Sequence, residues 1–308
     1  MNIMTLINAL PGAVAQGLIW GIMAIGVYLT FRILDFADLT VDGSMCTGGA
    51  VCIMMMQAGF GVWPSMLAAT GAGMLTGLAT GIFHTFMGIP AILSGILTQL
   101  SLYSVNLKIM GKANQAISVG KYDLLVSLRY IKGVPFYQNT IFVVAAFIVV
   151  LIAVLYWFFG TELGCAIRAT GCNSSMSRAQ GINTSFNKVL GLMVSNGLVA
   201  LSSALLAQYQ GFADVNMGRG AIVIGLAAVI IGEAVFSKIF RNFALRLLGV
   251  ALGSILYYLV LQTVIWLGID TDLLKLLSAI VVAIFLATPY WKGKYFSKPT
   301  KRGGNTNA

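Results

Sequence analysis

Charged residues are scarce in this chain: 9% of 308 positions, with nine acids, nineteen bases and a single histidine. A soluble domain carries about 25% charged residues. That scarcity excludes a soluble enzyme and a nucleic-acid reader, although a net charge of +10 would suggest the latter in a soluble chain. The lone histidine, His84, falls at the end of an apolar run and reads as a satisfied or interfacial side chain. Cys46, Cys52, Cys165 and Cys172 lack metal-site spacing and read as reduced thiols in core or loop. No Gly-Lys-Ser/Thr loop is present to cradle a phosphate. The chain is therefore expected to be no enzyme and to bind no metal or cofactor of its own.

What the sequence does hold is apolar: 58% hydrophobic residues and a mean hydropathy of +0.90. The apolar runs are continuous and about 20 residues long, the length of a membrane-spanning helix. They do not alternate apolar with polar, as barrel strands would. An all-α polytopic membrane protein follows, a single transmembrane domain over 1–308 with about eight to ten helices. Nine spans are predicted, at residues 13–33, 43–57, 63–84, 90–109, 139–160, 185–208, 220–236, 243–267 and 273–290. Residues 1–12 contain no Lys or Arg, so they predict a short interfacial segment rather than a secretory signal. Residues 110–138 form a polar loop, 161–184 a polar segment with helical character, and 291–308 a basic tail. Trp63, Trp157, Trp266 and Trp291 fall near span ends, as interfacial anchors do.

Charge placement orients the chain. Lys238, Arg241 and Arg246 share a short loop without an acid, and the tail from Lys292 to Arg302 has five bases and no acid. Arg168, Arg178 and Lys188 lie in or beside the 161–184 segment. With alternating spans all three regions share one side, which the positive-inside rule makes the cytoplasm. Lys108, Lys112, Lys121, Arg129 and Lys132 then fall outside, against the rule.

Three of the nine acids, Asp35, Asp38 and Asp42, lie between spans one and two, ahead of Gly43, Gly48 and Gly49. Acids at membrane depth are costly and line water-filled paths or pair with cations. Two readings stand for this cluster: a gate, or a loop end at headgroup level with Arg32 as partner. Asp42 has the further option of capping span two. Phe36-Ala37-Asp38-Leu39 after span one is echoed by Phe212-Ala213-Asp214-Val215 after span six. An odd number of spans separates the copies, which predicts inverted repeats with broken helices. Asp214 and Asn216 then read as an outer gate or as capping groups, with Arg219 as the ion partner of Asp214. Glu233 reads as a pathway residue or as the partner of Lys238. Gln99 and Asn106, seven apart on span four, share a helix face that can meet a polar solute or a neighbouring helix.

The 161–184 segment contains Gly164-Cys165-Ala166-Ile167-Arg168-Ala169-Thr170-Gly171-Cys172-Asn173, then Ser177-Arg178-Ala179-Gln180-Gly181-Ile182-Asn183. Gly171 can end a helical turn and Asn173 can cap the next. Small residues let such a helix lie in another protein's cleft, and Arg168 and Arg178 can pair with carboxylates there. Composition alone favours an ordinary solvated loop helix. The pattern resembles the coupling-helix region of ABC-importer permeases of the branched-chain amino acid and ribose class. Gly88-Ile89-Pro90-Ala91-Ile92-Leu93 resembles that family's start to the span before its large external loop. Two further strings, Asp38 to Ser44 and Ser101 to Gly111, resemble a tryptophan/tyrosine-type subgroup. The family's usual Glu-Ala-Ala is replaced here by Ser177-Arg178-Ala179.

The resemblance implies a multi-pass permease in a bacterial-type cytoplasmic membrane, with residues 161–184 cytoplasmic and 110–138 external. It implies a separate ATPase subunit holding ATP and Mg, a second permease copy and an external binding protein. The solute implied is a small organic molecule, an amino acid and in the subgroup an aromatic one. Docking on the ATPase would fall to Arg168, Ala169, Gly171, Asn173, Arg178, Ala179, Gly181, Ile182 and Asn183. Asp38, Asp42, Gln99, Asn106, Asp214, Asn216 and Glu233 are the pathway candidates. Two rivals are an ion-gradient-driven carrier using Asp35, Asp38 and Asp42, and a membrane scaffold without transport.

Overall fold

A computed structural model describes residues 3–118, 122, 124–131, 139–237 and 239–268, with scattered positions between 273 and 287. Ten α-helices make up most of these residues: α1 Ile3–Tyr28, α2 Val41–Gln57, α3 Val62–Thr85, α4 Ala91–Met110 and α5 Thr140–Gly160, then α6 Glu162–Cys172, α7 Ser174–Ala179, α8 Thr184–Gln210, α9 Ala221–Phe236 and α10 Phe243–Trp266. Eight of the predicted spans coincide with helices. The ninth, 273–290, is described only at scattered positions, and the tail and Trp291 lie outside the described residues.

Two expectations need correction. Residues 3–12 are not a separate interfacial segment, because α1 begins at Ile3 and runs straight through Pro11. A proline is tolerated in an apolar helix where neighbours satisfy the freed carbonyl. The polar 110–138 loop also holds a short strand, β1 Asn114–Ala116, antiparallel to β2 Phe212–Asp214, with Gln115 opposite Ala213. The second Phe-Ala-Asp copy is thus extended and paired.

Five helices among the described residues are long and apolar enough to cross a membrane; α9 is apolar but shorter. Length sets α2 and α9 apart, at 17 and 16 residues, whereas α4 has 20 residues but is interrupted by polar side chains. α1 continues as one π-helical turn, Leu29–Ile33, and the chain then turns back through Asp35, whose φ is 51°. α2 starts beside the middle of α8 rather than at its end. Ser44 meets Asn196, Gly48 packs on Ala200 and Cys52 reaches Ala204, so the two helices run parallel. α9 likewise starts partway along α1, with Gly225 against Met23 and Val27.

The packing carries an internal symmetry. α3 lies antiparallel on α8 through Gly73, Gly77 and Gly81, which meet Asn196, Leu192 and Val189. α10 lies antiparallel on α1, where Gly17 meets Ile255 and Gly21 meets Ala251. α1–α2–α3 therefore packs as α8–α9–α10 does, with the partners exchanged. Small residues let these backbones approach, the device that holds helices together where the surroundings are as apolar as the side chains. The core lies along α1, α2 and α8, where Ile19, Met23, Met45, Ile53, Leu192 and Leu205 are fully buried.

Candidate functional site

The acid cluster divides: Asp35 is exposed, whereas Asp38 and Asp42 are drawn into the bundle. Asp38 is 2% exposed and stands beside the middle of α8. Its Oδ1 accepts the Thr40 N–H at 2.9 Å, and its Oδ2 accepts from Asn196 Nδ2 at 2.7 Å. From there a column of polar side chains crosses the bundle. Ser44 Oγ donates to Asn196 Oδ1 at 2.6 Å and meets Thr76 Oγ1 at 2.7 Å. Thr40 Oγ1 meets Thr80 Oγ1 at 2.6 Å, and Thr80 donates to Thr98 on α4 at 2.9 Å. α2, α3, α4 and α8 are thus tied together at the point where the chain breaks between α1 and α2. Buried polar groups that satisfy one another in this way fix a unique packing.

Asp42 does not cap its own helix. It sits in the first turn of α2 and accepts the N–H groups of Gly220 and Ile222 at 2.9 and 3.0 Å. The carboxylate therefore holds the N-terminus of α9, where the helix dipole favours negative charge. The first turns of the two short helices, one from each repeat, meet at this contact.

Gln99 and Asn106 do share a face. Together with Asp42, Tyr103 and Arg219 they line a cavity of about 310 Å³ between α2, α4 and the turn before α9. Asp214 makes no ion pair with Arg219. Its carboxylate accepts the Asn216 N–H at 2.7 Å and Asn114 Nδ2 at 3.2 Å, so it staples the β1–β2 ribbon. Asn216 is exposed in that turn. Glu233 lies at the far end of α9 and pairs with Arg32 at 2.9 Å. Arg32 is therefore not the partner of the acid cluster, and Lys238, the expected partner of Glu233, lies outside the described residues. The Arg32–Glu233 pair borders a cavity of about 540 Å³ with Arg246, Phe236 and Phe240.

The 161–184 segment is helical, as expected, and every helix start in it is capped. Thr161 accepts from Gly164 N, Asn173 from Met176 N and Asn183 from Phe186 N. These caps set α6, α7 and α8 at defined angles to one another. Gly171 has a different role from the predicted helix stop. α6 continues to Cys172, and a Cβ at Gly171 would strike the Ile33 carbonyl. Ile167 is buried and Gly171 lies against Ile33 and Leu34, so α6 rests on the chain just before Asp35. Arg168 turns inward: its guanidinium donates to the Phe159 carbonyl and lies 5.5 Å from the Phe243 ring centre. The outer face of this segment instead presents Asn173, Met176, Arg178, Ala179, Gly181 and Asn183, with Ala169 and Ile182 half-buried beneath.

Both free cysteines of α2, Cys46 and Cys52, are buried, whereas Cys165 and Cys172 are exposed on α6. His84 is satisfied, with Nδ1 2.9 Å from the Ile89 carbonyl and Nε2 3.4 Å from Lys188 Nζ. Among the described residues no group of His, Cys, Asp or Glu could hold a metal ion. Lys112 and Arg129, the described bases of the 110–138 loop, lie at the opposite end of the bundle from those of α6–α7. β1 pairs beside the C-terminus of α8, and α7 leads into its N-terminus.

Sequence reasoning missed Asn196, the partner of Asp38. Its signal was present: Ser195, Asn196, Ser202, Ser203 and Gln208 interrupt an otherwise apolar helix, and all are fully buried. Tyr103 was also missed as a cavity residue, since an aromatic on an apolar helix carries no distinguishing pattern.

The chain matches the family described as "Branched-chain amino acid transport system / permease component" over residues 10–286. It is 39% identical over 281 residues to the tyrosine transport system permease protein of Clostridioides difficile strain R20291, covering 91% of each chain. It is 27% identical to the fructose import permease protein FruF of Bifidobacterium longum strain NCC 2705, covering 80% of this chain and 68% of that one. Identity is 28% to the autoinducer 2 import system permease protein LsrC of Yersinia pestis strain Pestoides F, over 68% of this chain and 58% of the other. No solved structure matches the chain. These relatives are permease components of importers, and nothing among them favours an ion-coupled carrier. The protein belongs to the branched-chain amino acid type of ABC-importer permeases, transport subunits that span the bacterial inner membrane several times.

Proposed function

We propose that this permease carries an amino acid, with tyrosine the first candidate, and that α6–α7 receives the thrust of a separate ATPase. ATP and Mg belong to that ATPase, two permease copies enclose the path, and an external binding protein delivers the solute. Residues 161–184 and 291–308 face the cytoplasm and 110–138 face outside. The observation that carries the coupling reading is the seat of α6: Gly171 packs it on Ile33 and Leu34, at the break between α1 and α2. A push on α6–α7 is thus delivered to the loop that positions Asp38 and Asp42, where the two repeats meet. The tyrosine assignment rests on the relative from C. difficile, which shares 39% identity over nearly the whole chain.

The docking test follows from which side chains point outward. Met176 is 61% exposed on α7 and makes no contribution to the core. Met176→Asp is expected to reduce ATPase subunit recovered with tagged permease by about tenfold, the scale of an interface anchor. Permease yield should be unchanged. Full recovery with normal uptake would remove α7 from the docking surface. Arg168→Glu is a poorer probe, because Arg168 braces the end of α5.

Glu233 has the opposite expectation. Its ion pair with Arg32 is solvent-facing, the two side chains being 35% and 58% exposed. Exposed pairs contribute about 0–1 kcal/mol. Glu233→Gln is expected to leave ATP-driven uptake within about threefold of wild type. A much larger loss in proteoliposomes would give Glu233 a part in the path.

A further inference from the structure

We propose that the cavity lined by Asp42, Gln99, Tyr103, Asn106 and Arg219 is a binding site for an amino acid zwitterion, occupied during transport. The inference rests on the importer reading above and adds the residues and the ligand chemistry. Its first support is Asn106. The side chain is 1% exposed, and neither its Nδ2 nor its Oδ1 has a hydrogen-bond partner among the described residues. A buried amide left unpaired costs about 1–3 kcal/mol. Asn106 lies on a wall of the cavity, so a guest can supply both a donor and an acceptor to it.

The second support is the charge on the walls. Asp42 and Arg219 border the same space, yet no ion pair between them occurs among the described residues. Asp42 is held in place by the Gly220 and Ile222 N–H groups, and Arg219 directly precedes Gly220. An acid and a base that face one chamber without closing on each other match a ligand carrying both charges. The ammonium belongs near Asp42. The carboxylate belongs near Arg219, whose planar fork suits bidentate pairing. Tyr103 supplies an aromatic wall for the side chain. The volume of about 310 Å³ is at the small end of ligand sites, which suits one amino acid.

The third support is position. The cavity opens where the first turns of α2 and α9 meet, at the junction of the two repeats. In ion-coupled transporters built from inverted repeats, the repeat junction is where the cargo binds.

The test is direct binding of radiolabelled L-tyrosine to the permease–ATPase complex in nanodiscs without binding protein. Tyramine, which lacks the carboxylate, and 3-(4-hydroxyphenyl)propionate, which lacks the ammonium, serve as competitors. In wild type each is expected to compete about tenfold more weakly than tyrosine, the loss of one charge-assisted contact. Arg219→Gln is expected to weaken tyrosine about tenfold while leaving tyramine unchanged. Asn106→Leu should weaken tyrosine while thermal stability of the complex holds or rises, since it removes an unpaired polar group. A structural Asn106 would instead lose stability.

A complex that assembles and hydrolyses ATP but binds no tyrosine, or binds it equally in both variants, overturns the cavity proposal alone. A permease that recovers no ATPase overturns the importer reading. Saturable, Arg219-dependent binding to that permease would still uphold the cavity.

Discussion

Asn196→Asp is expected to reduce ATP-driven uptake by about tenfold or more, and Asp38→Asn added to it is expected to restore much of the loss. The two side chains meet at 2.7 Å in the middle of the bundle, both essentially out of reach of solvent. Asp38 offers only acceptors, and Asn196 answers with its amide N–H. With Asp at 196, two carboxylates would face each other at that distance in a medium that screens them poorly. Adding Asn at 38 reverses the original bond: the amide at 38 donates and the carboxylate at 196 accepts. Ser44 Oγ can still donate to position 196, as it does now at 2.6 Å.

Asp38→Asn alone is expected to be the milder single change. Asn196 can turn its amide over, giving up only its bond to the Leu192 carbonyl, and the Ser44 hydroxyl can switch from donor to acceptor. The measurement is the initial uptake rate in proteoliposomes, normalised to folded transporter. If Asn196→Asp behaves as wild type, or if Asp38→Asn fails to improve it, this bond does not order the break between α1 and α2. The same result would loosen the mechanical link drawn from α6 through Ile33 and Leu34 to the acid cluster.

The bond also marks where reading the sequence succeeds and where it stops. Long helices announce themselves because a run of about 20 apolar residues has few other uses. The helix start at Asn173 was legible for a local reason: a cap depends on residues two or three positions away. The short helices were not. α2 has 17 residues, mostly apolar, and nothing within it says that it begins beside the middle of α8 rather than at its end. That placement is set by pairs far apart in the chain: Asp38 with Asn196, Ser44 with Asn196, and Asp42 with Gly220. Each joins one repeat to the other. The repeat itself was visible as four similar residues, but the two copies fold differently. Asp38 turns inward to α8, whereas Asp214 staples a β-ribbon. A local motif cannot tell which of these outcomes the surrounding helices will impose. Gln99 and Asn106 lie between these extremes. Their seven-residue spacing puts them on one face, but only the fold shows that Asp42 and Arg219 complete the same cavity.

Gly77→Val is expected to leave little folded permease, about a tenth of the wild-type yield or less, whereas Gly71→Val on the same helix is expected to be tolerated. A side chain at Gly77 would collide with the Leu192 carbonyl oxygen, and would lie 2.7 Å from Leu192 C and 2.9 Å from Met193 Cα. All three atoms are backbone, and a backbone inside α8 cannot turn aside as a side chain can. α3 and α8 would have to separate. Separation would open the polar column as well, because Thr76 and Thr80 reach Ser44 and Thr40 from the same helix. Desolvated hydroxyls would then lose their partners in an apolar interior, which adds to the cost of lost packing. Gly71 has open space around the same hypothetical atom. Valine there carries the same helix-propensity change and none of the collision. The pair of variants therefore isolates close approach from propensity, and size-exclusion chromatography of detergent-extracted protein reads both. Equal loss at the two positions would mean that something other than close approach to α8 limits substitution on α3. Equal survival would mean that α3 and α8 do not need the spacing that three glycines, Gly73, Gly77 and Gly81, provide.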